Sequence, residues 1–290
     1  MEFAKIPEKI KFTKMHGNGN DFLLIDEFNE IIIPEELKSG FVRAACNRRF
    51  GAGADGFIFV QVSDKADAKF RFFNSDGSEA EMCGNGIRCF SRFIVEENYA
   101  ENNLKVETLA GIKKLQVNVD REFRVRVDMG KPEFESNKIP AVERGGDVWK
   151  DILAINGEDF VVYAVNVGVP HAVVFVDNLD FEVKGIARKI RYSELFPHGT
   201  NVNFVKVISE NEIEIRTYER GVEDETLSCG TGSVASVAIA NRLNLVSDNV
   251  EVVTKGGVLR IELGDSAYMT GTASRVFDGI LRVKELRYDV

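Results

Sequence analysis

Two short segments carry the residues best suited to chemistry. One reads FNSDGSEAEMCGNGIRC and sets Cys83 ahead of Gly84, Asn85 and Gly86. The other reads YERGVEDETLSCGTG and sets Cys229 ahead of Gly230, Thr231 and Gly232. In both, Cys-Gly-x-Gly opens an apolar, helix-like run. Glycines at that place let the backbone approach a ligand closely. The first N–H groups of a helix have no partner inside it, carry partial positive charge and bind anions such as carboxylates. A cysteine at such a start also ionises more readily than a free one. Each motif therefore joins a carboxylate cradle to a base.

Two such motifs facing each other would hold one α-carboxylate between two helix ends, with a sulfur on each side of the α-carbon. That geometry suits stereochemical inversion: one thiolate removes the α-proton and the opposing thiol delivers another to the other face. A free thiol, with a pKa of about 8.5, is only a few per cent thiolate at neutral pH. Helix ends raise that fraction; a substrate carboxylate and a second thiolate lower it. The expected balance is one thiolate and one thiol. Exposed helix-end interactions contribute about 0.3–1 kcal/mol, whereas each tenfold in rate needs about 1.4 kcal/mol. The site must therefore close and exclude water so that fixed donors act at low dielectric.

The elements that position these cysteines repeat once along the chain. Each motif follows a strand-like alternating segment and a polar, turn-rich stretch, and 146 residues separate Cys83 from Cys229. A second pair, MHGNGNDFLLID ending at Asp26 and NVGVPHAVVFVD ending at Asp177, is offset by 151. Two nearly equal offsets point to an internal duplication. The runs Ile87–Val95 and Val234–Ala240 are apolar or small on most faces, as in buried helices. Short strands are predicted at Phe57–Val60, Phe70–Phe73, Val125–Val127, Val161–Val165, Val173–Val176, Ile213–Thr217, Val250–Val253 and Arg275–Val283, with an exposed helix at Glu35–Arg48. The expected fold is α/β (α+β): two pseudo-symmetric lobes, each a curved mixed sheet around a central buried helix, with the active site in the cleft between them. The expected boundaries are 1–129 for the N-terminal lobe, joined by the final strand 277–290, and 130–276 for the C-terminal lobe.

Composition allows this. The chain has 290 residues, 44% apolar and 29% charged, enough for two ordinary cores and a soluble surface. Its net charge of −9 argues against nucleic-acid or anionic-membrane partners. No apolar run has the length to cross a bilayer, and MEFAKIPEKIKF lacks a signal-peptide core, so a cytoplasmic protein with reduced thiols is expected. The four cysteines show no C-x-x-C spacing, which disfavours zinc and thioredoxin-like chemistry. Cys46 and Cys89 read as small buried hydrophobes.

The residues resemble diaminopimelate epimerases over nearly the whole chain. The resemblance rests on MHGNGNDF (Met15–Phe22), RRFGAGADG (Arg48–Gly56), the two cysteine segments, GVPH (Gly168–His171) and TNVNF (Thr200–Phe204). It implies a two-lobed fold that uses no metal and no pyridoxal phosphate, and interconversion of LL- and meso-diaminopimelate in lysine and cell-wall precursor synthesis. By the same resemblance Cys83 and Cys229 match the catalytic pair. Gly84, Asn85, Gly230 and Thr231 match the carboxylate cradle. Asn20, Asn74, Asn201, Glu219 and Arg220 match the positions that bind the rest of the substrate. The chain departs from some members at Gly56, where the family has glutamine, and at Val169, where it has asparagine before Pro-His.

Other signals are weaker. Gly51–Gly56 matches G-x-G-x-x-G literally, but a helical pattern precedes it and a strand follows, the reverse of a dinucleotide site. His16 and His171 occupy matching places in the duplicated segments and are expected to line the site. His198 reads as loop, and Glu223-Asp224-Glu225 as solvated loop. Trp149 gives no functional signal. Two rival functions are a proline or hydroxyproline racemase of the same fold and, further off, a thiol redox protein. The expected partner is a small-molecule substrate, with a homodimer among the expected assemblies.

Overall fold

A computed structural model describes residues 6–119, 122–143, 145–146 and 148–287. Residues 1–5 of the expected N-terminal lobe and 288–290 at the end of its returning strand lie outside the described residues. The chain forms two compact units, the described parts of Met1–Val127 with Gly271–Val290, and Asp128–Thr270.

The first unit contains β1 (Lys9–Gly17), β2 (Asn20–Glu27), α1 (Glu35–Cys46), β3 (Gly56–Gln61), β4 (Ala68–Asn74), β5 (Glu79–Ala80), α2 (Gly84–Glu96), β6 (Asn103–Thr108), β7 (Gly111–Val119), β8 (Phe123–Gly130) and, from the chain's end, β18 (Ser274–Arg282). Its strands pair in the order β18-β1-β2-β3-β4-β6-β7-β8, with β5 hairpinned onto β4. Among the described residues of this unit, the parallel pairs are β2/β3 and β4/β6. Parallel neighbours need a long crossover, and α1 and α2 are those crossovers.

The second unit contains β9 (Trp149–Ile155), β10 (Glu158–Asn166), β11 (Pro170–Phe175), α3 (Val183–Arg191), β12 (Asn201–Ser209), β13 (Glu212–Glu219), β14 (Asp224–Thr226), α4 (Gly230–Arg242), β15 (Asn249–Thr254), β16 (Gly257–Leu263) and β17 (Ala267–Thr272). Its order is β9-β10-β11-β12-β13-β15-β16-β17, with β14 on β13, and β11/β12 and β13/β15 are its parallel joints. The two units thus repeat one topology strand for strand.

Each unit buries a helix on either face of its sheet, so central strands are apolar throughout. All six residues of β3 are buried. Leu23, Ile25, Phe57, Phe59 and Phe73 pack with Phe41 and Val42 of α1. On the other face Phe70 meets Phe90 of α2 edge-on at 5.4 Å. Helix α2 touches β18, β1, β2, β3, β4 and β7, a span that requires the sheet to curl around it. Helix α4 touches β10, β11, β12, β13 and β16 in the same way, and is buried from Gly232 to Ala240.

Three expectations need correction. Helix α1 stops at Cys46, because Asn47 turns extended (φ −60°, ψ 121°), and Arg48 lies in the following loop. The acidic run is solvated loop only in part. Asp224 stays exposed, but it and Glu225 belong to β14, Glu225 pairs with Arg216 at 2.6 Å and Lys255 at 2.8 Å, and Glu223, in the preceding turn, accepts from Arg191 and Tyr218. His16 and His171 do not match in position. His16 lies next to the end of β1, before a two-residue turn through Asn18 and Gly19 at positive φ, whereas His171 follows its turn, on β11. The register puts Phe22 where the second unit has His171: Phe22 pairs with Met15 and Gly56, His171 with Val165 and Asn201.

Candidate active site

The cysteines of the two motifs are both helix N-caps. Cys83 has extended backbone (φ −136°, ψ 119°) and its Sγ accepts the N–H of Gly86 at 3.4 Å. Cys229 (φ −120°, ψ 113°) accepts the N–H of Gly232 at 3.4 Å. Sulfur here takes the place of the usual serine or aspartate oxygen and satisfies one of the helix's orphan donors. An N–H donated to a sulfur is an interaction that can stabilise a thiolate, which is the chemistry such a cap offers. Cys83 is partly buried and Cys229 buried. Cys46 and Cys89 are buried as well, and burial pushes each thiol up to about 12, which makes them inert.

The half-site of the first unit gathers Asn20, Cys83 and Asn85. The Oδ1 of Asn20 lies 3.9 Å from Cys83 Sγ and accepts Asn85 Nδ2 at 3.2 Å. Asn74 is not part of this knot: its Nδ2 donates to Ser78 Oγ at 3.0 Å within the β4–β5 hairpin. His16 accepts the N–H of Gly19 at 3.4 Å and braces the turn. Arg88, which sequence reasoning missed, is fully buried one helical turn after Gly84. It donates to Gly84 O at 3.1 Å, Asn18 Oδ1 at 2.8 Å and Thr272 O at 3.0 Å. It pins the β1–β2 turn to the start of α2, and burial pulls its guanidinium down to about 10. The R of CGNGIRC was its only signal.

The half-site of the second unit gathers Cys229 and Thr231, whose Oγ1 is 3.4 Å from Sγ. Beside them is a buried polar chain. Thr217 donates to Asn203 Oδ1 at 3.0 Å, and Asn203 Nδ2 donates to Ala172 O at 2.9 Å and meets His171 Nδ1 at 3.1 Å. That Nδ2 can only donate, so Nδ1 of His171 accepts and Nε2 carries the proton. His171 is fully buried; burial first, and the Arg220 charge second, lower it to about 3, so it is a neutral imidazole. Asn201 completes the group: its Oδ1 accepts the backbone N–H of Arg220 at 2.8 Å, and its Nδ2 lies 3.5 Å from His171 Nε2. Glu219 accepts from Thr226 Oγ1, and the Arg220 guanidinium reaches His198 O at 3.3 Å.

The two units differ where their sheets back these helices. The second unit presents His171, Asn203 and Thr217. The first presents Phe22, Ile58 and Phe72, with Phe22 and Phe72 edge-on at 5.9 Å and Ile58 near Gly86. Phe72 also explains the glycine at 56. A Cβ there would meet the Phe72 ring at 2.5 Å, so the ring fills the space of a side chain.

One family model matches most of the chain. The model describing diaminopimelate epimerase matches residues 12–135 and 163–276, which takes in both cysteine motifs. The chain belongs to the diaminopimelate epimerase family. Within it, a diaminopimelate epimerase of Archaeoglobus fulgidus is 65% identical over 97% of this chain and 100% of its own length. One of Methanothrix thermoacetophila is 53% identical over 94% and 96%. Among solved structures, a Bacillus anthracis protein of the PhzF family superimposes with a TM-score of 0.69 at 17% identity, covering 95% of this chain and 99% of that one. A hydroxyproline epimerase from Agrobacterium vitis does so with a TM-score of 0.69 at 15% identity, covering 96% and 94%. At such identities the likeness is one of fold. Among the described residues no helix is long and apolar enough to cross a membrane.

Proposed function

We propose that this member of the diaminopimelate epimerase family interconverts LL- and meso-2,6-diaminopimelate by a two-base mechanism, in lysine and cell-wall precursor synthesis in the cytoplasm. The observation that carries the reading is the pair of cysteine N-caps, each sulfur held on the N–H of the third helical residue. In this reading Cys83 and Cys229 act on opposite faces of one α-carbon. As thiolate, one takes the proton while the electron pair moves toward the carboxylate; the other, as thiol, donates its proton to the opposite face. The roles exchange in the reverse direction.

The first backbone N–H groups of α2 and α4, with Gly84, Asn85, Gly230 and Thr231, would receive the reacting carboxylate, where charge develops in the transition state. Asn20, Asn74, Asn201, Glu219 and Arg220 would bind the remainder. Glu219 can accept from an ammonium, and Arg220 can fork a carboxylate. His171, a buried neutral imidazole, backs this polar side. A homodimer belongs to the same reading; Val276, Phe277 and Ile280 on the edge strand β18 are each about half exposed and apolar.

The test is the fate of the proton. A thiol carries one proton, and the one delivered was on the opposite sulfur before reaction began. With LL-diaminopimelate in deuterated water, early meso product should carry deuterium at the inverted carbon while recovered LL substrate stays protiated. Extensive return of the original hydrogen into early product would sink the two-base mechanism. Turnover of 4-hydroxyproline isomers in place of diaminopimelate would move the chain to a different substrate.

A further inference from the structure

The loop before β3 bears a carboxylate that the chemistry above does not use. Asp55 Oδ2 accepts Asn20 Nδ2 at 2.9 Å and the N–H of Asp21 at 3.2 Å, and Asp55 Oδ1 accepts Arg48 Nη2 at 2.6 Å. Arg48 also pairs with Asp21 at 2.7 Å, Asp21 with Lys14 at 2.6 Å, and the N–H of Asp55 returns to Asp21 Oδ1 at 3.0 Å. Burial alone would raise the Asp21 carboxyl, but Arg48 and Lys14 outweigh it and hold it far below the usual carboxylate range. The cluster is therefore a clamp of paired charges with one edge on Asn20.

An asparagine amide can sit two ways, with oxygen and nitrogen exchanged. A carboxylate only accepts, so the edge of Asn20 that meets Asp55 must be its NH2. The oxygen is then forced to the opposite edge, which is the edge facing Cys83 at 3.9 Å and Asn85 Nδ2 at 3.2 Å. A thiol can donate S–H to that oxygen, while a thiolate meets only its lone pairs. We propose that Asp55 is a positioning residue that sets the amide orientation of Asn20 and so keeps a proton acceptor, not a donor, against the Cys83 sulfur. This rests on the reading of Cys83 as a proton-transfer residue. Asp55 is not, in that reading, a group that acts on the reacting carbon. It works through Asn20, and through it holds the proton on Cys83 until substrate displaces the contact.

The experiment follows Cys83 alkylation by iodoacetamide at fixed neutral pH in the full-length protein, with peptide mapping to separate the cysteines. Asp55→Ala frees the Asn20 amide to turn its NH2 toward the sulfur. The rate at Cys83 should rise about three- to tenfold, the size of one hydrogen bond. Removing a negative charge near a thiol would also raise it, so the decisive arm is the double variant. In an Asn20→Ala background, Asp55→Ala should have no further effect, because the residue it acts through is gone. An effect of equal size in both backgrounds would show plain electrostatics and overturn the proposal, as would an unchanged rate in a folded Asp55→Ala protein. Asp55→Asn, which keeps the side-chain volume, is carried in parallel and judged by the same two comparisons. No diaminopimelate is needed, so failure here leaves the proposed reaction standing, and failure of that reaction leaves this result interpretable.

Discussion

Asn203 Oδ1 lies 2.4 Å from where a Cβ on Gly232 would stand. The oxygen is not free to move, since it accepts from Thr217 while the other end of the amide is tied to Ala172 and His171. The second glycine of Cys-Gly-Thr-Gly is thus a packing requirement. At Gly86 a Cβ would meet nothing closer than 3.4 Å.

This asymmetry predicts opposite outcomes for one substitution. Gly232→Ala should cost about 1–3 kcal/mol through overpacking and displace the Cys229 cap, lowering kcat. Gly86→Ala should be neutral or stabilising by up to about 1 kcal/mol, as alanine is the better helix former. Denaturant midpoints and kcat for both variants check this; equal effects would refute it.

Cys83→Ala and Cys229→Ala should each reduce epimerisation by about 10²–10⁴ or more, the range for loss of a positioned acid–base group. The fold should survive, because α2 and α4 keep their packing against the sheets when the sulfur is removed. Measurable two-way turnover near the parent rate, in either variant with a native circular dichroism spectrum, would remove that sulfur from the mechanism.

His171 sets a pH dependence of stability. Its folded value, about 3, lies below the ordinary 6.5, so between these limits the unfolded chain binds the extra proton. Stability is then full above about 6.5 and falls as pH drops toward 3, with a limiting slope of about 1.4 kcal/mol per unit. Glu223, lowered to about 2, weakens the fold only below the ordinary carboxylate value of 4.5. Urea midpoints between pH 4.5 and 6.5 should therefore decline in the parent and decline less in His171→Asn.

Glu223 ties the turn that follows Glu219 and Arg220. It stands at positive φ (57°) and accepts from Gly221 N at 3.0 Å, Arg191 Nη2 at 2.9 Å, Tyr192 Oη at 3.0 Å and Tyr218 Oη at 3.2 Å. Burial opposes its ionisation, but these donors win. Glu223→Ala should destabilise by about 1–3 kcal/mol and raise KM more than it lowers kcat, since the loosened turn carries Glu219 and Arg220, which are proposed to bind substrate. An unchanged KM would separate this turn from the substrate.

The two caps were legible from Cys-Gly-x-Gly ahead of an apolar run, because capping is settled within one helical turn by residues adjacent in sequence. The duplication and the strand segments were legible for a similar reason: alternation and repeat are local patterns. The roles of Asp55, Arg88 and Asn203 were not. Asn203 meets His171 across two strands 32 residues apart, and Arg88 reaches Thr272 across 184. Such partners depend on strand register, which no spacing reveals. His16 and His171 fall on opposite arms of their hairpins, on β1 and β11, which a comparison of short segments does not reveal. The acidic run after Arg220 looked like solvent-facing loop for the same reason, since charge favours water until Arg191, Arg216 and Lys255 are brought to it by the fold. Local chain chemistry suffices where a helix begins; which buried polar groups face one another is a long-range property, set only when the sheets have closed around their helices.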